Sequence, residues 1–596
     1  MKTESSLSAY FTRKMFLRAV LPAPLAGIGM ALAEMGDTIL VGHAIGMDGI
    51  AAIGYVSPLF LLSSFFAFGL STGGAVVFAN LMHKGEQQRA LGIFNFFLRF
   101  SCAVGFGIMA AGLLLGDGLL AFLGAAPEEG AVFALAKSYM FYILLGIPFQ
   151  ILMELVTFYL RNDNVDALAV ALQASAGVGN LIVSAILLFF FDWGIAGCSF
   201  GFLASNAATF LIGFLYLLGR QGALKVQRQA ASFPEAIKPL RLGFATSFEY
   251  IFGAVFALVS IHLLTELSGT EGVAIFNIVE NLALLFVFIY ELIGKMAQPI
   301  FSAFFAECNF KELHRIFRYC LLYSLALGGL ATAAMMVCPE LAGLLFGLDG
   351  IENPASVYHA IRVFCVGAVF MGVCLLLQNY FQSEEDEQGA FLVVFLRRAG
   401  VGIALAYLLS RFGSGIFWLV YPLSELLTLL IVYVYKRYRS ERKNIDPARV
   451  YASAFFGSIG AVAEQLDAIE SFAAKWGADE RKRYLLRMAL EEISGVVSER
   501  AARRADAHVL WQLTLIARET PDEKVSGPSS PTFEIHLRDD AEEFDPFRLP
   551  GGPIAAMPER AEDVDYRALG MYVVRSRAQT FFFRNYQGFN TTMMVI

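Results

Sequence analysis

The sequence predicts an all-α polytopic membrane protein with twelve transmembrane helices in two six-helix lobes, followed by a C-terminal cytoplasmic α/β domain. Three observations predict this architecture: the composition, the lengths of the apolar stretches and an internal repeat. Of the 596 residues, 57% are hydrophobic and only 16% are charged, whereas soluble globular domains carry about 25% charged residues. The composition is therefore typical of a membrane protein.

Twelve apolar stretches are long enough to cross a bilayer core, which takes about 20 helical residues. The first is too long for the core of a signal peptide and lacks an evident cleavage site, so we expect an uncleaved span. The predicted spans are 17–42, 53–82, 91–115, 132–160, 166–191, 194–219, 241–267, 273–305, 314–338, 357–382, 389–410 and 415–436.

Basic residues indicate the orientation of these spans. Lys84, Arg89 and Arg161 lie in loops that follow even-numbered spans, whereas the opposite loops, such as "GHAIGMDGIAA", are nearly free of Lys and Arg. Because Lys-rich and Arg-rich loops remain on the cytoplasmic side, both termini are predicted to be cytoplasmic. The expected location is the cell (plasma) membrane.

An internal repeat divides the membrane domain. "GMDGIAA" at 46–52 reappears as "GTEGVAI" at 269–275, and "LR" at 17–18 reappears at 240–241, both at an offset of 223 residues. Self-similarity over such a period indicates a duplicated structural unit. Paired lobes of this kind are common in secondary transporters, with the substrate path between the lobes. The predicted divisions are an N-lobe (1–220), an inter-lobe loop (221–240), a C-lobe (241–437), a basic linker (438–450) and the cytoplasmic domain (451–596).

Acidic residues inside the spans are candidates for a functional site. Glu34 and Asp37 lie three positions apart in an apolar run, where an acidic residue costs about 2.5–3.5 kcal/mol at the centre of a helix on insertion scales. Their repeat mates are Ala257 and Ser260. The two acids are thus absent from the structural unit that the lobes share, which favours a functional role over a role in packing. Two acids of the second lobe also lack acidic repeat mates: Glu249 and Glu280.

The first lobe resembles a known family. "EMGDTILVGHAIGMDGIAAIGYVSP" resembles the first-helix signature of multidrug and toxic compound extrusion (MATE) transporters, and "GNLIVSAILLFFFDWGIAGCSFGFLAS" is similar to that family's fifth and sixth helices. The resemblance spans about residues 10–440. It implies a V-shaped bundle that exports amphipathic, often cationic compounds in exchange for Na⁺ or H⁺. It also implies functional roles for three residues: Asp37, Asn180 and Glu249.

The sequence departs from that family at the ion site. Ser184 stands where many members have Asp, and Phe202 replaces a Thr of the sixth helix, so the Na⁺ site of those members is incomplete and H⁺ is favoured. Glu34 is an additional acid, and two close carboxylates can hold one shared proton. The alternative is a buried acid that bonds a neighbouring helix for packing. On the eighth span, Glu291 and Lys295 are four residues apart and predict a self-neutralising pair.

The segment from residue 446 to the end predicts a separate α/β domain. Two amphipathic helices precede the strand-like "VLWQLTLIAR" and "TFEIHLRD", and a further helix, "ALGMYVVRSRA", precedes two closing strands. This order resembles the histidine-kinase-like ATPase domain of anti-sigma-factor serine kinases. The resemblance assigns nucleotide contacts to Glu491, Asp539 and Gly570. Gly495 replaces the Mg²⁺-binding Asn, however, which argues against ATPase or kinase activity and makes ATP binding doubtful.

Three functional hypotheses follow. The first is a cation-coupled (H⁺ or Na⁺) antiporter that exports drugs or amphipathic, cationic metabolites by alternating access and is regulated by its ATPase-like domain. The second is a flippase for lipid-linked precursors. This hypothesis predicts a cationic cavity, whereas the charged residues expected within the spans are mainly acidic. The third is a membrane sensor whose tail binds a cytoplasmic regulatory protein. None of them requires a cofactor, a metal, enzymatic activity or a nucleic-acid partner.

Overall fold

The computed structural model shows a helical membrane part and a C-terminal α/β module. It describes residues 4–83, 86–162, 165–219, 224–227, 230–347, 354–439, 446–502, 509–518, 531–546, 548–549, 552–553, 569–586 and 588–596. Parts of the predicted inter-lobe loop (221–223 and 228–229) and of the predicted linker (440–445) lie outside the described residues.

The membrane part is built almost entirely from helices, because its long apolar stretches satisfy their backbone groups internally only as helices. Two short π-helical segments, Phe16–Val20 and Leu396–Gly400, interrupt the first and eleventh predicted spans. The α-helices are α1 (Glu4–Met15), α2 (Ala23–Glu34), α3 (Gly36–Ile45), α4 (Met47–His83), α5 (Gln87–Leu115), α6 (Asp117–Leu123), α7 (Ala131–Asn162), α8 (Asp166–Phe189), α9 (Ile195–Gly219), α10 (Phe233–Ala306), α11 (Phe310–Val337), α12 (Glu340–Leu345), α13 (Ala355–Ser383), α14 (Glu387–Phe395), α15 (Val401–Ser410), α16 (Ser414–Phe417) and α17 (Val420–Arg439).

Within the described residues, eleven helical segments are long and apolar enough to cross a membrane, where the sequence predicts twelve. The difference arises in α10, which contains both the seventh and the eighth predicted spans in one apolar segment, Ser247–Ala306. Gly269 interrupts this segment with φ 60° and ψ −149°, which are not helical. A glycine adopts this positive φ readily because it has no Cβ. The predicted loop between residues 267 and 273 is thus reduced to a turn at one residue.

The two lobes contact each other mainly through α4 of the first lobe and α10 of the second. Phe68 near the middle of α4 and Tyr250 in the first quarter of α10 stack with ring centroids 5.1 Å apart. Nearer the start of α4, the Asn277 Nδ2 atom donates a hydrogen bond of 3.0 Å to the Ile50 carbonyl oxygen. The contact between the lobes therefore extends along α4 and combines aromatic packing with a polar bond.

The C-terminal module is a five-stranded antiparallel sheet with helices on one face. The strand order is β1-β2-β3-β7-β6, and the helices and strands predicted from the sequence are present. The additional edge strand β1 was not predicted. The elements are β1 (Val450–Phe456), α18 (Ile459–Lys475), α19 (Glu480–Ala502), β2 (Leu510–Arg518), β3 (Thr532–Asp539), β4 (Arg548–Leu549), β5 (Gly552–Pro553), α20 (Leu569–Arg577), β6 (Thr580–Tyr586) and β7 (Phe589–Val595).

The two faces of the sheet have different partners, because successive side chains of a strand point to opposite sides. On β2, Trp511 and Leu513 belong to the core under α18 and α19. The intervening Gln512 and Thr514 are equally buried, but they bond groups of the membrane part, namely Ser8 of α1 and Glu307 at the end of α10. The module is therefore docked on the membrane part through its helix-free face.

Candidate functional site

The backbone of the first span is interrupted next to its two acids. Helix α2 ends at Glu34, Met35 separates the two helices, and α3 begins at Gly36. Asp37 therefore lies in the first turn of α3. A carboxylate is stabilised there because the unpaired N–H groups of a helix N-terminus carry partial positive charge. The break in the helix thus favours an acid at this position within an otherwise apolar segment.

Asp37 meets the two polar residues of α8 that the sequence assigned to the ion site. Asn180 Nδ2 donates to one carboxylate oxygen and Ser184 Oγ to the other, each at 3.1 Å. Ser184 also lies 3.2 Å from the Asn180 Oδ1 atom and 3.2 Å from the Cys198 carbonyl oxygen. A hydroxyl has a single hydrogen to donate, so Ser184 can bond only one of these three acceptors at a time.

Two glycines allow the helices around Asp37 to approach closely. A Cβ atom on Gly36 would lie 1.8 Å from the Leu181 Cδ2 atom, and a Cβ atom on Gly201 would lie 2.4 Å from the Ser184 Oγ atom. Small residues permit such approaches between membrane helices. Helices α3 and α9 therefore both pack directly against the segment of α8 that bonds Asp37.

Glu34 has a different environment from Asp37. Its side chain is exposed, whereas Asp37 is half-buried, and its charge interacts with those of Asp37 and Glu154. An exposed carboxylate in the middle of a span is costly in contact with lipid. The interactions of Glu34 with Glu154 of α7 and Tyr250 of α10 indicate that it faces the bundle. Glu154, on α7, was not predicted, although its setting in "ILMELV" is as apolar as that of Glu34.

The second lobe contains buried arginines that the sequence analysis overlooked. Arg397 is only 5% exposed, and its Nε atom bonds both carboxylate oxygens of Glu425, at 3.0 and 2.8 Å. Arg398 Nη1 donates to the Glu280 carboxylate at 3.0 Å, and the Tyr421 hydroxyl donates to the same oxygen at 2.8 Å. The prediction that the charges within the spans are mainly acidic was therefore wrong for this lobe. The adjacent Arg pair in an apolar run was the available signal.

These groups surround a cavity within the second lobe. The two arginines and Glu425 line it together with apolar and aromatic side chains, including Phe256, Phe364 and Met371. Arg398 is also 5.4 Å from the centroid of the Phe256 ring, a cation–π distance. Because each arginine has a carboxylate partner, the cavity wall carries paired charges and not a free cationic surface.

The remaining candidates of the second lobe occupy the same region. Lys295 Nζ lies 2.8 Å from the Glu291 carboxylate, so the pair predicted from their spacing is present. Glu249 interacts electrostatically with Glu291, Arg397 and Arg398. The predicted acids of this lobe thus belong to one network of charges, separate from Asp37 and its partners on α8.

In the C-terminal module, two of the three residues that the resemblance assigns to nucleotide binding, Asp539 and Gly570, contact other protein groups. Asp539 is 2% exposed, and its Oδ1 atom accepts hydrogen bonds from Asn590 Nδ2 at 2.9 Å and from the Ala541 N–H at 3.0 Å. Burial raises the pKa of the Asp539 carboxyl to about 7. Gly570 packs against the Glu492 side chain, which would be 2.0 Å from an added Cβ atom. Glu491 is exposed on α19.

Comparison with known families also finds two similar units in this chain. The MatE family model matches the chain twice, at residues 22–186 and 245–408. Together the two matches include more than half of the chain. The chain belongs to the MatE family. The two MatE matches begin 223 residues apart, which is the offset of the repeat found in the sequence.

Individual relatives of this MatE protein are distant in sequence. "Probable multidrug resistance protein YoeA" of Bacillus subtilis (strain 168) is 21% identical over 459 residues, which are 74% of this chain and 96% of YoeA. "Multidrug export protein MepA" of Staphylococcus aureus (strain N315) is 21% identical over 423 residues, which are 67% of this chain and 88% of MepA.

A solved structure shares the fold. It is described as an inward-facing conformation of a multidrug resistance MATE family transporter of the MOP superfamily. It superposes with a TM-score of 0.64 at 19% sequence identity, covering 70% of this chain and 97% of that one. The membrane part thus has the fold of a MATE transporter, a family of secondary transporters and not of enzymes.

Proposed function

We propose that this protein exports amphipathic, cationic drugs or metabolites across the cell membrane by proton-coupled antiport. The observation that carries the proposal is the carboxylate of Asp37, which is held by Asn180 and Ser184 inside the first lobe. A carboxylate in this position can bind either a proton or a cationic substrate, and competition for one charge is the requirement for exchange. Relatives named for multidrug resistance and multidrug export support a small-molecule substrate.

We propose twelve spans, and the length of the seventh helical segment supports this count. Sixty residues of α-helix would measure about 90 Å, three times the roughly 30 Å core of a bilayer. The break at Gly269 divides the segment into two arms of suitable length. We therefore place Gly269 at a membrane surface, which gives two six-helix lobes with both termini on the same side. The basic loops of the sequence support the cytoplasmic side.

The hydrogen bonds around Asp37 support H⁺ over Na⁺ as the coupling ion. The Asn180 amide presents its N–H₂ group to the carboxylate, and the Ser184 hydroxyl lies within donor distance of it. Hard cations such as Na⁺ require oxygen lone pairs instead of hydrogen-bond donors. The neighbouring acid Glu34 adds a second oxygen site for a proton close to Asp37.

The coupling ion is tested with purified protein in proteoliposomes, using the cationic dye ethidium as the probe. A pH gradient and a Na⁺ gradient are imposed separately, and dye movement is followed by fluorescence. We expect a pH gradient to drive ethidium accumulation and a Na⁺ gradient at constant pH to leave it at the level of protein-free liposomes. Dye movement driven by Na⁺ alone would refute the proton assignment, and no movement under either gradient would refute the export of cationic dyes.

We further propose that the C-terminal module regulates transport by restraining the start of the first span. Helix α1 lies between the sheet and α11. Lys14 Nζ is 2.5 Å from the Asp540 carboxylate, and the ring of the fully buried Phe11 is 5.4 Å from that of Phe589. On the other side of α1, the Thr12 hydroxyl donates to Glu312 of α11 at 2.5 Å.

The module also contacts the second lobe directly. Arg538 of β3 pairs with Glu307 in a buried ion pair, with both side chains 3% exposed. The Tyr586 hydroxyl donates to the Met296 carbonyl oxygen of α10 at 2.9 Å. Since α1 leads into α2, which carries Glu34, the docked module links the helix of the first-lobe acids to the second lobe. Movement of the lobes relative to each other would disturb these contacts.

The resemblance of this module to histidine-kinase-like ATPase domains is consistent with a regulatory role without catalysis. The support is the order of helices and strands, in an antiparallel sheet that carries helices on one face. Asp539, which the resemblance assigns to adenine, is buried and bonded to Asn590 and Ala541. We propose that the module transmits the binding of a cytoplasmic regulatory protein or nucleotide by a change in docking.

A charge reversal tests this regulation. In Lys14→Glu, two carboxylates would face each other at the Asp540 contact, and we expect release of α1 and faster ethidium transport. An ion pair of this kind contributes up to about 1 kcal/mol, which corresponds to a rate increase of up to about fivefold. Hydrogen–deuterium exchange of residues 6–20 should increase in parallel.

Two further variants complete the test. The exchanged pair Lys14→Glu/Asp540→Lys should restore most of the protection and of the basal rate. Arg481→Glu makes the same change of charge at an exposed position of α19 and should alter neither. Unchanged exchange and transport in Lys14→Glu, or loss of transport without restoration in the exchanged pair, would contradict a restraining role.

A further inference from the structure

Glu154 is a buried carboxylate of the first lobe to which the mechanism above assigns no role. It lies on α7 and is 8% exposed. Its Oε1 atom accepts only a long hydrogen bond, 3.5 Å, from the Gln173 Nε2 atom of α8. Its Oε2 atom is buried and has no hydrogen-bond partner among the described residues. Buried polar atoms are rarely left unpaired, so an unpaired carboxylate oxygen inside a membrane protein suggests a function.

The nearest basic side chain does not neutralise Glu154 directly. Arg161 Nη2 donates to the Gln173 Oε1 atom at 2.5 Å, so the Gln173 amide lies between the guanidinium and the carboxylate. An amide that accepts from a cation and donates to an anion fixes the orientation of both groups without forming an ion pair. The proton affinity of Glu154 is therefore set by a distant cation, by burial and by nearby acids.

Glu154 is electrostatically connected to the proposed coupling site. Its charge interacts with that of Glu34, and Glu34 interacts with Asp37. The charged groups that act on Glu154 are Arg161 and Glu34. Glu154 in turn acts on Tyr250, as do Glu34 and two acids of the second lobe, Glu249 and Glu291. Tyr250 belongs to the second lobe and stacks on Phe68, so Glu154 lies close to the interface between the lobes.

The positions of these groups along their helices place Glu154 between the acid pair and one membrane surface. It lies eight residues, about 12 Å, before the end of α7, and Arg161 lies at that end. In the twelve-span arrangement this end is on the side of the C-terminal module. Asp37 lies eight residues before the opposite end of its span, at Ile45. Along the membrane normal, toward the surface on the side of the C-terminal module, the order of these residues is thus Asp37, Glu34, Glu154 and Arg161.

We propose that Glu154 is the proton relay between the Glu34/Asp37 pair and the water on the side of the C-terminal module. The inference rests on the proposed proton coupling. When a cationic substrate displaces the shared proton, the O–H bond of the Glu34 carboxyl breaks and the unpaired Oε2 atom of Glu154 accepts the proton. Glu154 then gives this proton to water. Gln173 acts as a positioning residue that holds the Oε1 atom, so that Oε2 remains the free acceptor.

Glu154→Gln tests the relay, because the amide has nearly the same shape but cannot carry the proton. Ethidium is added to protein in detergent, and a pH-sensitive dye in the medium reports proton release. We expect ethidium affinity to stay within about twofold of the unmodified protein, and proton release to slow at least about tenfold, as is usual when a general acid or base is removed. Glu154→Asp, which keeps a carboxyl group, should restore most of the rate.

The controls separate this inference from the proposed function. Glu128→Gln removes an exposed acid before the start of α7 and should leave proton release unchanged. Asp37→Asn should abolish proton release altogether, and if it does not, the coupling site itself is wrong whatever Glu154 does. If Asp37→Asn abolishes release and Glu154→Gln releases protons at the normal rate, the relay alone is refuted. Thermal unfolding in detergent confirms that each variant is folded.

Discussion

Replacement of Asp37 by Asn is expected to reduce substrate-driven proton counterflow to the level of protein-free liposomes. Asn has the size of Asp and retains one oxygen that can accept from Asn180 or Ser184, so the helices should still pack around it. It cannot bind and release a proton at any accessible pH, and it places no negative charge beside a cationic substrate. Proton counterflow and the transport of the cationic substrate are therefore expected to stop together.

The measurement is ethidium counterflow and internal pH in proteoliposomes of matched protein content. Asp48→Asn provides a control, because Asp48 is an exposed acid in the first turn of the neighbouring helix α4. It should behave as the unmodified protein. Insertion of both variants is verified by their yield in the membrane fraction and by size-exclusion chromatography. Normal counterflow in Asp37→Asn would exclude this residue as the coupling site.

Replacement of Arg397 by Met is expected to cause the largest loss of stability. Arg397 is 5% exposed and bonds both oxygens of Glu425, which is 8% exposed. Removal of one member of a buried ion pair leaves the other charge buried and uncompensated, which typically costs about 3–5 kcal/mol. We therefore expect a decrease of this size in the free energy of unfolding, with a lower thermal midpoint in detergent.

The partner residue makes this prediction specific. The double variant Arg397→Met/Glu425→Leu removes both charges and should recover most of the lost stability, because replacement of a buried ion pair by apolar residues of similar volume is often well tolerated. Arg411→Met changes an exposed arginine in the same lobe and should have little effect. A double variant as unstable as Arg397→Met alone would show that the ion pair is not the source of the loss.

The sequence predicted the parts of this protein that depend on local pattern. Span positions follow from the length of apolar runs, and the secondary structure of the C-terminal module follows from amphipathic periodicity, which is why its helices and most of its strands were anticipated. The approach of Asp37 to Asn180 was implied by a family resemblance. The turn at Gly269 was not anticipated, because a single glycine between two apolar runs does not show how few residues the connection uses.

Contacts between distant residues were missed for a physical reason. Arg397 and Glu425 are 28 residues apart, and Lys14 and Asp540 are 526 apart, so their pairing depends on how helices and domains pack. Glu154 was not predicted, because the sequence does not show that one oxygen of this acid lacks a hydrogen-bond partner among the described residues. The docking face of the sheet was equally hidden, since the alternation along β2 is consistent with either solvent or a protein partner behind Gln512 and Thr514.

The turn at Gly269 bears on how the second lobe is made. The two long apolar arms on either side of this single non-helical residue are joined by a short polar stretch, 266–271, which is too short to remain in water on the side of synthesis while one arm crosses the lipid alone. They must therefore enter the bilayer together, as a helical hairpin, during synthesis. The orientation of the hairpin is then decided before the helices that follow it have emerged from the ribosome. In the proposed twelve-span orientation, Glu266 and Glu271 cross the membrane with this turn. Because basic residues are retained on the cytoplasmic side, a Lys inserted here should disturb biogenesis more than the folded protein.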